Sequence, residues 1–155
     1  MAIDVRTEID IGRPRGEVAA FAGDPLNAPR WYINIKNADW VDGAELVVGN
    51  KVAFTAYFLG RKLAYTYVIC EHVVGTRLVM ATSDGPFAMQ TTYEWTDTAD
   101  GGTHMTLRNA GEPSGFTRIA APAMERAMRR ANRKDLKRLK DMLESRAARG
   151  DHWTP

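Results

Sequence analysis

The stretch of sequence that decides the fold is residues 116–148, FTRIAAPAMERAMRRANRKDLKRLKDMLESRAA. Apolar residues recur along it at helical spacing and predict one long amphipathic helix: Phe116, Ala120, Met124, Met128, Ala131, Leu139, Met142 and Leu143. Pro122 falls inside this pattern, and it predicts either a bend in the helix or a helix start after a short separate turn. If the preceding residues form a sheet, one of its faces needs covering, and this helix is the obvious second layer.

The residues ahead of the helix read as short strands separated by Gly, Asp and Pro turns. Residues 3–11 predict the first strand, and later runs rich in Val, Thr, Tyr and Phe predict strands near 36–42, 51–58, 62–72, 76–82, 87–97 and 103–111. Two short helices are expected after the first strand, one over residues 14–22 and one that carries Trp31, Tyr32 and Ile33 toward the core. Because no helix separates the later strands, we expect them to pair as antiparallel hairpins.

Length and composition predict one globular domain over residues 1–149, with a frayed tail over residues 150–155. The single cysteine, Cys70, excludes an internal disulfide and fits a reducing compartment. We therefore expect a cytoplasmic protein in which Cys70 is buried and unreactive. The charged N-terminal residues do not resemble a signal peptide, and no run approaches about 18 consecutive apolar residues, so no membrane span is predicted.

The net charge of +2 hides an uneven distribution along the chain. Residues 1–115 carry 10 Lys or Arg against 14 Asp or Glu, whereas residues 116–150 carry 11 against 4. A basic helix face could attract nucleic acid or anionic lipid. However, Glu125–Arg129 and Lys137–Asp141 have the spacing of ion pairs on solvated helices, and no aromatic residue is interleaved to stack on bases. A solvated face is expected, with no nucleic-acid partner.

The predicted order of one strand, two short helices, six strands and a long helix resembles the helix-grip fold of the START-like superfamily. Local sequence adds to the resemblance at Glu71 ahead of residues 75–78 (Gly-Thr-Arg-Leu), at Tyr93-Glu94-Trp95 ahead of residues 101–103 (Gly-Gly-Thr), and at Asp135-Leu136 in the last helix. This superfamily, also called SRPBCC, includes polyketide cyclases/dehydratases and lipid-transfer domains. The resemblance implies an α+β fold, in which a curved antiparallel sheet of about seven strands wraps around a long C-terminal helix. It also implies a deep, largely apolar cavity.

Alternation along the strands predicts which side chains face that cavity. On the strand over 87–97, the more apolar face carries Phe87, Met89, Thr91, Tyr93 and Trp95, and on the strand over 62–72 it carries Leu63, Tyr65, Tyr67 and Ile69. Residues 51–58 are apolar on both faces and leave open whether Phe54 or Tyr57 points inward. The predicted ligand-binding residues are Trp31, Phe54, Tyr67, Met80, Met89, Thr91, Tyr93, Met105, Met124 and Met128.

Three residues are candidates for catalytic chemistry in such a cavity: Tyr67, Tyr93 and Asp135. A buried phenol needs a partner for its hydroxyl, so each tyrosine either orients a ligand carbonyl or bonds to backbone and water in an ordinary core. Asp135 lies with Asn132 in the helix arc that carries Met128 and Leu139. A carboxylate there either forms the polar end of the cavity or sits at the stripe's edge and pairs with an Arg or Lys of the sheet.

Metal and cofactor chemistry find little support in the sequence. The histidines, His72, His104 and His152, are scattered without the spacing of metal ligands, and no metal site is predicted. The sequence contains no P-loop, dinucleotide-binding motif or nucleophile elbow, so no cofactor is predicted.

The leading hypothesis from the sequence is that the protein binds a hydrophobic small molecule between sheet and helix, for transport or sequestration. A lipid, an isoprenoid or a polyketide-like aromatic would suit such a cavity. The alternative is an enzyme of the polyketide cyclase/dehydratase type that uses the same cavity, and a second alternative is a protein-interaction module. The sequence leaves the oligomeric state open between monomer and homodimer.

Overall fold

Seven strands and three helices make up the part of the chain that the computed structural model describes, which is residues 3–58, 60–84, 87–113 and 116–148. The strands are β1 (Ile3–Ile11), β2 (Ile35–Asp42), β3 (Lys51–Phe58), β4 (Arg61–Val73), β5 (Arg77–Thr82), β6 (Met89–Asp97) and β7 (Thr103–Gly111). The helices are α1 (Arg15–Ala22), α2 (Ala28–Trp31) and α3 (Phe116–Ala148), and a 3-10 turn (Pro25–Asn27) precedes α2.

All seven strands form one curved antiparallel sheet with the order β1-β7-β6-β5-β4-β3-β2. Strands β2 to β7 therefore form a continuous meander, which is the arrangement that short turns between strands impose. Strand β1 pairs with β7, so α1 and α2 carry the chain from one edge of the sheet to the other. Their path leaves the two short helices packed on the same face as α3, because all three contribute to one core.

Helix α3 covers the sheet in two different ways along its length. Its C-terminal half inserts Leu136, Leu139 and Leu143 into the main core, where each is at most 1% exposed. Its N-terminal half packs Ala121, Met124 and Met128 against β1 and Phe87, and both methionines there stay only partly buried. The C-terminal half is therefore tightly seated, whereas the N-terminal half leaves space between helix and sheet.

The predicted fold is confirmed, and the predicted strand and helix bounds agree with the structure to within two residues. Helix α3 runs without interruption through Pro122, so the alternative in which Pro122 begins the helix after a separate turn is wrong. Cys70 is exposed, which contradicts its expected burial: alternation places it on the outer face, opposite the buried Ile69. The predicted tail, residues 150–155, lies outside the described residues.

The outer face of the sheet is polar and carries cross-strand ion pairs. His104 contacts Asp10, and Arg108 forms a two-pronged ion pair with Asp4, so both side chains lie on this outer face. Arg77 bridges to two glutamates on neighbouring positions of this face. Among the described residues, no helix is both long enough and apolar enough to cross a membrane.

Candidate functional site

Two adjoining cavities lie in the space between the sheet and the helices. The first, about 150 Å³, lies beneath the N-terminal half of α3 and is bordered by Met89, Met124 and Met128. The second, about 100 Å³, lies deeper, beneath the 3-10 turn and α2. Six residues line both cavities, which makes the two spaces parts of one cleft: Tyr32, Ile35, Ala56, Tyr65, Tyr67 and Asn109.

A pair of tyrosine hydroxyls joins the short helices to the sheet inside this cleft. Tyr32, the residue that follows α2, and Tyr93 of β6 share a hydrogen bond of 2.5 Å between their hydroxyl oxygens. Trp31 packs against Tyr32 with ring centroids 4.1 Å apart and thereby fixes its position. Burial raises the pKa of both tyrosines far above the ordinary value, so both are neutral and able to donate a proton in a hydrogen bond.

A second polar group runs from β4 to β7 across the sheet. Tyr67 lies beside Thr91, whose hydroxyl donates to Asn109 Oδ1 at 2.9 Å. Burial raises the pKa of Tyr67, and the neighbouring Thr91 hydroxyl opposes part of that rise. Burial, reinforced by the nearby Tyr67, raises the pKa of Tyr65 to about 12. The cleft thus contains a row of neutral hydroxyl and amide groups set in an otherwise apolar lining.

Among the described residues that line the cleft, the one carboxylate belongs to Asp135, which α3 presents from above. It is 2% exposed, and its Oδ1 accepts a hydrogen bond of 2.9 Å from the backbone N–H of Ile33. Burial raises the pKa of Asp135 to about 6, although the Ile33 bond and the positive charge of Arg138 both act to lower it. The alternative that Asp135 pairs with an Arg or Lys of the sheet is wrong, since its partner is a backbone amide.

One buried donor in the cleft has no hydrogen-bond partner among the described residues. Asn132 is 5% exposed and lines the larger cavity, yet its side-chain Nδ2 makes no hydrogen bond within the described part of the chain. A buried amide donor left unpaired costs about 1–3 kcal/mol, so native proteins rarely keep one without a reason. A ligand oxygen in the larger cavity would be a suitable acceptor for it.

Most of the residues predicted to bind ligand come together at this cleft. Those that line one or both cavities are Phe54, Tyr67, Met80, Met89, Thr91, Tyr93, Met124 and Met128. The catalytic candidate Asp135 lines the larger cavity. Trp31 and Met105 do not line either cavity; both are 0% exposed and belong to the main core. The inward face of the sheet is longer than the cleft, so facing inward does not by itself place a residue on the cleft wall.

Several polar residues of the cleft were not among the predicted site residues: Tyr32, Asn34, Thr82 and Asn109. Asn109 lies on β7 four positions beyond Met105, which was predicted to face the cavity, so alternation could have identified it. Tyr32 was expected to point toward the core, but its place at the cleft depends on the extended backbone that follows a four-residue helix. The same expectation for Ile33 is wrong, since Ile33 is exposed. Within the described ranges, no group of three or more His, Cys, Asp or Glu side chains is placed to hold a metal ion.

Comparisons with known proteins agree with this architecture. The sequence model of the family described as polyketide cyclase/dehydrase and lipid transport matches residues 2–144. Among curated proteins, none matches the chain significantly in sequence.

Solved structures with the same fold come from several bacteria. The Zhui aromatase/cyclase of a Streptomyces species superposes with a TM-score of 0.82 at 12% identity, covering 95% of this chain and 96% of its own. A START superfamily protein of Mycobacterium smegmatis gives 0.79 at 10% identity, with 92% and 97% covered. A protein of Thermus thermophilus gives 0.77 at 18% identity, with 92% and 97% covered. At these identities the likeness concerns the helix-grip fold alone.

Proposed function

Since the chain belongs to the polyketide cyclase/dehydrase and lipid-transport family of the START-like superfamily, we propose that it binds a hydrophobic small molecule in the cleft beneath α3. The observation that carries the proposal is the cleft itself, an apolar space whose few polar groups point inward. A lipid, an isoprenoid or a polyketide-like aromatic has the matching character. Transport or sequestration of such a molecule is the role that follows from binding without turnover.

The lining supplies both affinity and adaptability. Met89, Met124 and Met128 are partly buried, and methionine side chains change shape readily around irregular apolar ligands. Each Å² of apolar ligand surface removed from water contributes about 25 cal/mol. The neutral hydroxyls of Tyr67 and its neighbours are available to orient a carbonyl or hydroxyl on the ligand.

The volumes of the two cavities, about 150 and 100 Å³, lie below the ~300–1,000 Å³ of most ligand pockets. A ligand of ordinary size therefore has to displace side chains as it enters. The three methionines that border the larger cavity are the natural ones to move, since they are long, unbranched and only partly buried. Ligand entry at this end leaves the tightly packed C-terminal half of α3 undisturbed.

Binding of a neutral fluorescent dye, N-phenyl-1-naphthylamine, tests the proposal. The variant Ala56→Leu adds bulk at a buried position that lines both cavities, and Ala64→Leu makes the same change at an exposed position of the neighbouring strand. We expect the dye to bind the wild type and Ala64→Leu equally, and Ala56→Leu at least fivefold more weakly, with thermal unfolding showing that all three are folded. Equal dye binding by the three proteins contradicts binding in the cleft.

Native mass spectrometry of protein purified gently from its host complements the dye assay. A co-purified hydrophobic molecule, released on denaturation, would identify the class of natural ligand. The dye assay reports on the cleft even when the purified protein is empty.

A second candidate function, catalysis of the polyketide cyclase/dehydratase type, is favoured by one specific observation. Asp135 is a buried carboxyl whose pKa is raised to about 6, close to the value that suits a general base or acid near neutral pH. It lines the same cavity as Tyr67, so a base and a neutral hydroxyl face one space. In this role Asp135 would remove a proton next to a carbonyl whose oxygen accepts a hydrogen bond from Tyr67.

The two functions predict different fates for a reactive poly-β-carbonyl compound in the cleft: it is only bound, or it is cyclised faster. Incubation with a synthetic poly-β-carbonyl thioester, followed by mass spectrometry of the products, should show faster cyclisation with wild type than with Asp135→Asn or Tyr67→Phe. Asp141→Asn, an exposed change on the same helix, is the control. Binding of the thioester without any acceleration over buffer assigns the cleft to binding alone.

A further inference from the structure

A positively charged groove runs along α3 beside the cleft. It has a volume of about 490 Å³ and lies between α3 and the segment formed by Ile33 and Asn34. Arg126, Arg130 and Lys134, spaced four residues apart, form one wall, and three alanines at the same spacing form the floor: Ala123, Ala127 and Ala131. The small floor residues leave the groove open, and the three exposed cations surround it.

None of these three cations has an ion-pair partner among the described residues. Elsewhere on α3, cations pair with carboxylates one turn away: Arg129 with Glu125, Lys137 with Asp141, and Lys140 with Glu144. The solvated, self-paired surface expected from the sequence therefore holds for part of the helix only. Like charges four residues apart repel one another, and an anion in the groove would relieve that repulsion.

The groove begins where the larger cavity ends. Asn34, Ala131 and Asp135 border both spaces. Just inside the cavity stands Asn132, with its buried Nδ2 donor unpaired within the described part of the chain. Among the described residues that line the groove, Asp135 is the one acid, so the three cations leave a net positive charge there. The cleft and the groove are therefore arranged side by side, with the Asn132 donor near the junction between the apolar cavity and the cationic groove.

We propose that the ligand is an acidic amphiphile, with its apolar tail in the cavity and its carboxylate or phosphate group in the groove. Arg126, Arg130 and Lys134 attract the anionic group, and the Asn132 amide donates to an oxygen of the ligand near the head. The inference rests on the proposed binding function and narrows the class of ligand. It also accounts for the modest enclosed volume, because only the tail has to be covered.

Four soluble probes separate the contributions of tail and charge: decanoate, decyl phosphate, decanol and acetate. Each is titrated against the bound neutral dye at low salt. We expect decanoate and decyl phosphate to displace the dye at concentrations about tenfold below decanol, and acetate to have no effect. High salt should remove most of that advantage, because it screens charges that lie in an exposed groove.

A matched pair of double variants tests the location of the anionic group. Arg126→Gln/Arg130→Gln removes two groove cations, whereas Arg133→Gln/Lys137→Gln removes two charges from the same helix outside the groove. The first double variant should bind decanoate about tenfold more weakly and decanol as tightly as the wild type does. The tenfold loss corresponds to the removal of two partly exposed charge contacts. The second should bind both probes as the wild type does.

The possible outcomes distinguish failure of the acidic-amphiphile proposal from failure of hydrophobic binding itself. Equal displacement by decanol and decanoate overturns the acidic amphiphile but leaves hydrophobic binding intact, whereas failure of dye and probes alike overturns both. Inhibition by acetate or inorganic phosphate as strong as that by decanoate shows a simple anion site and overturns the inference. If the protein sediments with phosphatidylserine vesicles but does not bind decyl phosphate, the groove docks on a membrane surface. That result also overturns the inference.

Discussion

Replacing Asp135 by asparagine should make the folded protein more stable at neutral pH. The folded state raises the pKa of this carboxyl from 3.8 to about 6, because burial penalises its charged form. A pKa difference of about two units corresponds to about 3 kcal/mol, which is the free energy that keeping Asp135 ionised costs the folded state above pH 6. Asparagine keeps an oxygen to accept the Ile33 N–H and carries no charge, although its own amide hydrogens then need partners.

The sign of the pH dependence follows from which state holds the proton more tightly. With a raised pKa, the folded protein binds the proton more strongly than the unfolded chain between about pH 4 and pH 6. The free energy of unfolding contributed by Asp135 therefore falls as pH rises through that window, and the loss is complete above it. Asp135→Asn removes this dependence, so its advantage over wild type should be small at pH 4 and larger by about 2 kcal/mol at pH 7.5.

Urea unfolding at pH 4, 5, 6 and 7.5 measures this difference, with fluorescence of the buried tryptophans as the signal. Asp141→Asn is the matched control, since Asp141 lies on the same helix but is exposed and paired with Lys137. Its effect should stay within about 0.5 kcal/mol at every pH. A wild type that is more stable than Asp135→Asn at pH 7.5, or a stability difference that does not change with pH, would refute the reasoning.

Three further predictions concern the core and the outer face of the sheet. Tyr32→Phe should destabilise the protein by about 1–3 kcal/mol, because it leaves the Tyr93 hydroxyl unpaired. In a double-mutant cycle, the double variant Tyr32→Phe/Tyr93→Phe should lose less stability than the sum of the losses in the two single variants. Leu139→Ala should cost about 2–5 kcal/mol in chemical unfolding, whereas Ile119→Ala, at an 80% exposed position of the same helix, should cost less than about 0.5 kcal/mol. Hydrogen bonds with Asp10 and Glu8 raise the pKa of His104, so the protonated histidine stabilises the fold at low pH. The free energy of unfolding lost in His104→Gln should therefore be measurable at pH 5.5 and shrink toward pH 8.5. A loss that does not change with pH would contradict a stabilising charged histidine.

The fold was predictable because each level of the sequence pointed to the same arrangement. The apolar stripe of residues 116–148 required a partner surface, and the closely spaced turns before it required antiparallel hairpins. Strand β6 has one clearly apolar face, so alternation oriented Met89, Thr91 and Tyr93 correctly. Strand β3 is apolar on both faces, and there the local pattern carried no information. The structure resolves the choice in favour of Phe54, which is 6% exposed, whereas Tyr57 is 43% exposed.

The position of the cleft along the sheet was not predictable, since it depends on where helices and sheet separate. The predicted second helix placed Trp31 inside and strand alternation placed Met105 inside, both correctly. Neither pattern could show that these residues lie under the tightly packed half of α3. The partners of Asp135 and Tyr93 are contacts between segments distant in sequence, a backbone amide at Ile33 and a hydroxyl at Tyr32. Such contacts depend on the exact path of the short helices, which no local pattern records.

The polar groups of the cleft are costly for a protein that needs only a stable core. A buried carboxylate with a raised pKa lowers stability at neutral pH, and a buried amide donor that has no partner among the described residues lowers it further. Both Asp135 and Asn132 lie on α3 and face the larger cavity, where leucine would serve packing better. Stability alone gives no reason to keep them at adjacent points of one wall. A ligand that carries oxygen atoms does, because it would turn the unused donor of Asn132 into a hydrogen bond, and a purely hydrocarbon ligand would leave that cost in place.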